Sequence, residues 1–209
     1  VPDTLRVLDA LKVRRVDVAA RGGAQFVVAL ARAQPDRLGR VVLANPDPPG
    51  HESGGTSRGV AAAKAVLRRS PALIRMVAPQ LARRYTTLEA VAERMRRDSR
   101  HSPADTRAAE DPAIIRDYFR AQRAFATGRY AGWVNEQTEL FHGRSLEPLP
   151  GAHGWRVLVG AEDFMHDPQS VVAYWRGILP DAQIRLIPDA GRYLALCRPE
   201  LIVEALTAA

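Results

Sequence analysis

The spacing of apolar positions changes character twice along this chain. Near the start, Leu5, Leu8 and Leu11 recur at helical spacing, and Val16-Asp17-Val18-Ala19-Ala20 then reads as a short strand. Gly22-Gly23 punctuates its end. Ala24 to Ala33 is helical in pattern and stops near Pro35; Arg40-Val41-Val42-Leu43-Ala44 is a second strand, closed by Asn45-Pro46-Asp47-Pro48-Pro49-Gly50. Short apolar strands joined through helices predict a parallel sheet covered on both faces.

From His51 to Pro150 the spacing is helical throughout, over 57–69, 72–84, 88–97, 112–126 and 130–141. Thr86 with Glu89 reads as a capping box, and Asp111-Pro112 as a cap followed by a first-turn proline. The strand pattern returns at Arg156-Val157-Leu158-Val159, followed by a helix over 167–179. A last strand, Ile184-Arg185-Leu186-Ile187, and a closing helix over 199–207 complete the series. The expected order is βαβ, a helical insertion, then βαβα. This is an α/β domain made of residues 1–50 and 151–209, carrying a helical cap formed by 51–150.

Composition narrows the class. With 46% hydrophobic and 25% charged residues, the 209-residue chain is ordinary globular protein, which excludes a disordered tail, a collagen-like rod and a disulfide-stapled miniprotein. Charges interrupt every apolar run before membrane-spanning length, so no membrane segment is expected. The single cysteine, Cys197, cannot close an internal disulfide and fits a reducing cytoplasm. The net charge of +7 is carried almost wholly by arginine, since Lys12 and Lys64 are the two lysines. Residues 51–150 hold 17 basic and 11 acidic side chains. These bases lie between acids along helices and are not clustered with aromatics, so direct nucleic-acid binding by this chain is not expected.

The segment Val16–Leu30 resembles the nucleophile elbow of the α/β-hydrolase superfamily, in which a strand ends in G-x-S-x-G and turns sharply into a helix. Gln34-Pro35-Asp36-Arg37-Leu38 and Val41–Pro46 look like that family's next helix end and strand. Val157–Asp163 looks like the strand that delivers the catalytic acid, and Leu186–Tyr193 like the strand and turn that deliver the histidine. The resemblance implies an α/β-hydrolase fold, a mostly parallel sheet with helices on both faces, of the capped, lipase/esterase-like branch. A looser similarity connects the cap and flanks to hydrolase-type sensor domains of bacterial helix-turn-helix regulators.

Carried over position by position, the resemblance places Gly22 where the serine belongs, Asp163 at the acid and Arg192 at the histidine. Glycine offers no nucleophile, and arginine stays protonated and cannot serve as a base. Ordinary Ser-His-Asp hydrolysis is therefore not expected. What remains suits binding: the Gly23 N–H opens a helix and can receive an anion, and Arg192 presents a planar fork of donors. Arg192 has two compatible uses, a ligand contact or an ion pair with Asp163, and the ion pair is favoured. Arg21 points into the pocket or away from it. His166 follows Asp163 on the same loop; for His166, His51 and Ser53 an exposed loop role is favoured over catalysis.

His101, His142 and His153 form no metal-ligand spacing, and Gly54-Gly55 lacks the Lys and Ser/Thr of a phosphate loop, so no metal or cofactor is expected. Met76, Met95, Tyr118, Phe119, Phe125, Trp133 and Phe141 read as cap core, some of them also roofing a pocket. The strands that usually precede the elbow in this family are absent from this chain, so the elbow strand would lie at a sheet edge; a preceding segment is favoured as the explanation over a covering partner, such as a second copy, or a truncated fragment. The sequence thus predicts a degenerate-triad protein that binds a small apolar molecule, with or without a carboxylate, through Arg21, Gly22, Gly23, Asp163, His166 and Arg192. The alternative is an atypical enzyme of the same superfamily, a hydrolase, lyase or cyclase.

Overall fold

The computed structural model describes residues 1–51, 58–143 and 145–207. Helix α1 (Pro2–Ala10) leads into β1 (Val16–Ala20), α2 (Ala24–Ala33) and β2 (Leu38–Ala44). Among the described residues six α-helices follow: α3 (Arg58–Leu67), α4 (Pro71–Ala82), α5 (Leu88–Asp98), α6 (Pro103–Glu110), α7 (Pro112–Ala126) and α8 (Ala131–His142). The chain then returns through β3 (Trp155–Gly160), α9 (Pro168–Ile178), β4 (Gln183–Ile187), the single turn α10 (Leu194–Cys197) and α11 (Pro199–Thr207).

Several helix starts follow one local rule. Ser70, Ser102, Asp111 and Asp167 each cap a helix by accepting a backbone N–H, and each precedes a proline in the first turn. The proline lacks only an N–H that would go unpaired there anyway, and its fixed φ suits the first turn. Two sequence expectations change here. The cap of α5 is Thr87, which accepts from Ala90 N, while Thr86 donates back to Arg83 O. Helix α6 also lies between the predicted helices, because its eight residues are too short and too alanine-rich to show an apolar stripe.

The four strands are parallel in the order β1-β2-β3-β4, with β1 and β4 at the edges. The inner strands are apolar on both faces, as a doubly covered sheet requires. On one face Val41, Leu43, Val157 and Val159 pack against Val28 and Ala31 of α2 and Val172 and Trp175 of α9. On the other, Val42, Ala44 and Leu158 pack against Leu194 and Ala205. The insertion has its own core around Tyr85, Met95, Tyr118 and Phe125, which Tyr193 joins from the β4 side. Met76 departs from the sequence expectation: it is 60% exposed and outside that core.

Register brings the carboxyl ends of the strands together. Ala20 pairs with Leu43, Ala44 with Leu158 and Gly160 with Ile187. The segments that follow the four strands therefore emerge on one side, where parallel α/β sheets place their ligands.

Candidate functional site

The elbow turns through two left-handed residues, Gly22 (φ +72°) and Gly23 (φ +63°), directly into α2. Only glycine takes this backbone without penalty; an L-residue pays about 1–2 kcal/mol. The space above Gly22 is taken. A Cβ built there would meet Glu136 Oε1 at 2.9 Å, and the Gly23 N–H hydrogen-bonds the same carboxylate. Glu136 comes from α8, so the insertion supplies an internal anion to the N–H predicted to receive one. Burial, and then the nearby Asp47 charge, push the Glu136 carboxyl above its ordinary range.

Behind the elbow, Arg192 holds two carboxylates at once. Its Nη1 lies 2.8 Å from Asp47 Oδ1 and 3.4 Å from Asp163 Oδ2, and Nη2 donates to Asp47 Oδ2 at 3.1 Å. The ion pair with Asp163 is thus present, but the closer partner is Asp47, three residues beyond the end of β2. The turn carrying Arg192 is fixed from two sides. Asn45 accepts from Gly160 N at 2.7 Å and donates to Gly191 O at 2.6 Å, tying β2 to β3 and to this turn. Asp105, from α6, accepts the N–H groups of Arg192 (2.7 Å) and Tyr193 (2.9 Å). A side chain at Gly191 would collide with that carboxylate. Burial pushes the Asp105 carboxyl up to about 6 despite both hydrogen bonds.

Asp47 also organises a second chain of contacts. His166 Nε2 lies 2.7 Å from Asp47 Oδ1, and His166 Nδ1 lies 3.3 Å from Lys64 Nζ, which also donates to Met165 O. Burial alone would raise the Asp47 carboxyl; the Arg192 charge and the His166 hydrogen bond outweigh it and hold the group well below the usual carboxylate range. Burial lowers the Lys64 amine from 10.5 to about 8, the Asp47 charge opposing and the Arg192 charge assisting. Tyr174 OH and Trp175 Nε1 of α9 donate to Pro49 O and Pro46 O, which fixes the loop that presents Asp47.

These groups form one wall of a cavity of about 400 Å³ between the strand ends and the insertion. Leu67, Leu81, Tyr85, Phe125, Trp133 and Phe141 give it an apolar body. Lys64, Arg68, Arg84, Arg94 and Arg192 face it against Asp47 and Asp98, so among the described lining residues cations exceed anions. Arg94 is engaged with Asp98 (3.2 Å) and lies over the Tyr85 ring.

The predicted site residues divide between this cavity and its supports. Arg192 and His166 line it; Asp163 lies behind Arg192, and Gly22 and Gly23 lie beneath Glu136. Arg21 does not line it: its guanidinium stands over the rings of Tyr118 (5.5 Å) and Tyr193 (6.0 Å). His166 is buried, not an exposed loop residue, because the Asp47 contact pulls it in. His51 is exposed at the cavity rim and reaches Ser170 Oγ at 3.3 Å. Ser53 and Gly54-Gly55 lie outside the described residues. Among the described residues no cluster of three or more potential metal ligands exists, and no helix is long and apolar enough to cross a membrane.

Sequence reasoning missed Asp47, Lys64, Asp105 and Glu136. Asp47 had a usable signal, its place just past a parallel strand. Lys64 had a compositional one, as one of two lysines among 28 arginines. Nothing local marks Asp105 or Glu136, whose roles exist only once α6 and α8 fold back over the strand ends.

No protein-family profile and no curated protein matches this chain. Solved structures do. An α/β-hydrolase fold protein from Nakamurella multipartita is similar at TM-score 0.60 and 17% identity, over 97% of this chain and 73% of its own. A hydrolase from Pseudomonas aeruginosa gives 0.57 and 20%, over 100% and 70%. The carboxylesterase CesB (YbfK) from Bacillus subtilis gives 0.54 and 16%, over 99% and 65%. The chain thus spans 65 to 73% of these proteins' lengths, and at such identities the likeness is one of fold. The fold is that of the α/β-hydrolases.

Proposed function

We propose that this chain is a small-molecule binding domain on an α/β-hydrolase scaffold, with the helical insertion acting as a cap over the ligand. The observation that carries this reading is the cavity of about 400 Å³, apolar in body and lined by more cationic than anionic side chains among the described residues. Its volume falls in the range of ligand pockets, roughly 300–1,000 Å³. A ligand with an apolar or aromatic body and a carboxylate fits that lining. Serine-type hydrolysis has no support in the same geometry. Gly22 brings no hydroxyl, the space above it belongs to Glu136, and Arg192 is committed to Asp47 and Asp163.

This excess of cations moves the expected anion. An incoming carboxylate meets Arg68 and Arg84 of the insertion, not the Gly23 N–H. Trp133 lines the cavity and reports on it. Titration with naphthalene-2-carboxylate is expected to change tryptophan fluorescence saturably, and naphthalene-2-methanol to bind more weakly. Equal affinity for acid and alcohol would remove the anionic group from the reading, and no saturable response to either would remove the pocket.

A further inference from the structure

Three groups of the cavity wall stand in a row: Asp47, His166 and Lys64. A carboxylate can only accept hydrogen bonds, so the Asp47 contact places a proton on His166 Nε2. Nδ1 is then the acceptor, and it faces Lys64 Nζ at 3.3 Å. The ring is buried and Asp47 is clamped by Arg192, so neither member swings freely. The arrangement is a carboxylate that orients an imidazole and an imidazole that faces a nucleophile, the logic of a catalytic triad with an amine in the nucleophile's place. It uses none of the elbow residues.

We propose that Lys64 is the reactive group of this cavity and captures an aldehyde or ketone ligand as a reversible imine. The inference rests on the ligand-binding reading above and names the chemical class of that ligand. In the step, the neutral amine attacks the carbonyl carbon, and a C–N bond forms as the carbonyl π pair moves to oxygen. One amine proton passes to His166 Nδ1 and from there to the oxygen, which gives the neutral carbinolamine. The nitrogen lone pair then forms the C=N bond as the C–O bond breaks, and the departing hydroxide takes the remaining N–H proton and leaves as water. Nothing is oxidised or reduced, and water entering the cavity reverses every step.

The surroundings favour this chemistry. Burial and the positive charges of Arg192 and Arg68 favour the neutral amine, while Asp47 and Asp163 pull the other way. An amine that titrates at about 8 rather than 10.5 holds roughly two hundred times more neutral form at pH 7.4. Leu67, Phe125 and Trp133 line the same cavity and offer apolar surface to the body of such a ligand.

The chain supplies its own control, because the second lysine, Lys12, is exposed in the turn just past the end of α1. The intact protein is incubated with 4-carboxybenzaldehyde and sodium cyanoborohydride, and the peptide spanning 59–68 is compared by mass with the one carrying Lys12. Lys64 is expected to label about tenfold or more faster than Lys12 at pH 7.4, and His166→Gln to slow Lys64 but not Lys12. Lys64 labelled no faster than Lys12, or at an unchanged rate in His166→Gln, overturns the proposal. The non-reactive 4-(hydroxymethyl)benzoate separates the two readings. If it binds while Lys64 stays unlabelled, the imine falls and the pocket stands; if it does not bind and Lys64 stays unlabelled, both fall.

Discussion

Arg192→Met tests the centre of the site, because one side chain neutralises two carboxylates there. Asp47 and Asp163 side chains are 14% and 5% exposed, and both face the Arg192 guanidinium. Removing one member of a buried pair leaves its partner charged in a poorly solvating place, at a cost of about 3–5 kcal/mol. In a protein of this size that corresponds to a fall in melting temperature of roughly 6 to 20 °C. Methionine keeps much of the side-chain volume, so the loss reads on charge more than on packing.

The pH dependence sharpens the test. In the native protein the Asp47 pKa is depressed, so its contribution to stability is present above the unfolded value of about 3.9 and is lost as pH falls through the folded one. Between pH 8 and 5 it is constant. In Arg192→Met the guanidinium no longer opposes burial, so the folded pKa of Asp47 rises. Proton uptake then stabilises the variant as pH falls, and its deficit against the native protein narrows from pH 8 to pH 5. Urea unfolding at both pH values measures this, and Asp47→Asn added to Arg192→Met is expected to recover part of the loss. A loss below about 1 kcal/mol, the scale of a surface pair, would show that the three groups do not form a buried network. A deficit unchanged between pH 8 and 5 would refute the charge argument even if the loss were large.

Other consequences follow from single residues. Gly22→Ser, which places a hydroxyl at the elbow, is expected to destabilise by about 1–2 kcal/mol from backbone strain, with the Glu136 contact adding to it, and to gain no p-nitrophenyl acetate hydrolysis. Measurable turnover above the native protein would show that Arg192 can be bypassed. Asp105 is raised in the folded state, so its stabilising contribution is complete below pH about 4 and is lost as pH rises through about 6. The native melting temperature therefore carries a component that falls between pH 4 and 6. Asp105→Asn is expected to abolish that component while costing one of the two hydrogen bonds to 192 and 193; a slope that persists in the variant would assign it elsewhere.

The sheet was legible because its signal is local. Val16–Ala20, Val41–Ala44 and Val157–Val159 are apolar runs bounded by glycine and proline, and their identity survives a boundary error of two residues. The glycine pair at the elbow was legible for the same reason, since a left-handed turn leaves its mark in the residues that make it. The helical insertion was read less fully. Helix α6 is held by Ser102 and by Glu162, which accepts from Ser102 Oγ and Ala104 N across sixty positions. Its existence depends on tertiary partners more than on its own periodicity. The site was read one residue at a time, and that is why it was read in part. Asp163 and Arg192 were named from the resemblance, at its acid and histidine positions, but Asp47 binds both Arg192 and His166 and changes the surroundings of each.

Positions 22 and 192 are tied together by charge. A guanidinium at position 192 is permanent, and a buried permanent charge needs more than the single carboxylate that orients an imidazole. Asp47 supplies the second, at closer range than Asp163. With Asp47 ionised, His166 gains a fixed acceptor for Nε2 and leaves Nδ1 turned to Lys64. Glu136 meanwhile lies where a side chain at position 22 would project, and its carboxyl is pushed up by burial and by Asp47. A serine at 22 would displace Glu136, and a histidine at 192 would leave Asp47 short of its main counter-charge. The elbow, the acid loop and the 192 turn therefore hold one another in this state. On the insertion side of Asp47, Lys64 meets His166 at the cavity wall, and there the proposed chemistry is to be tested.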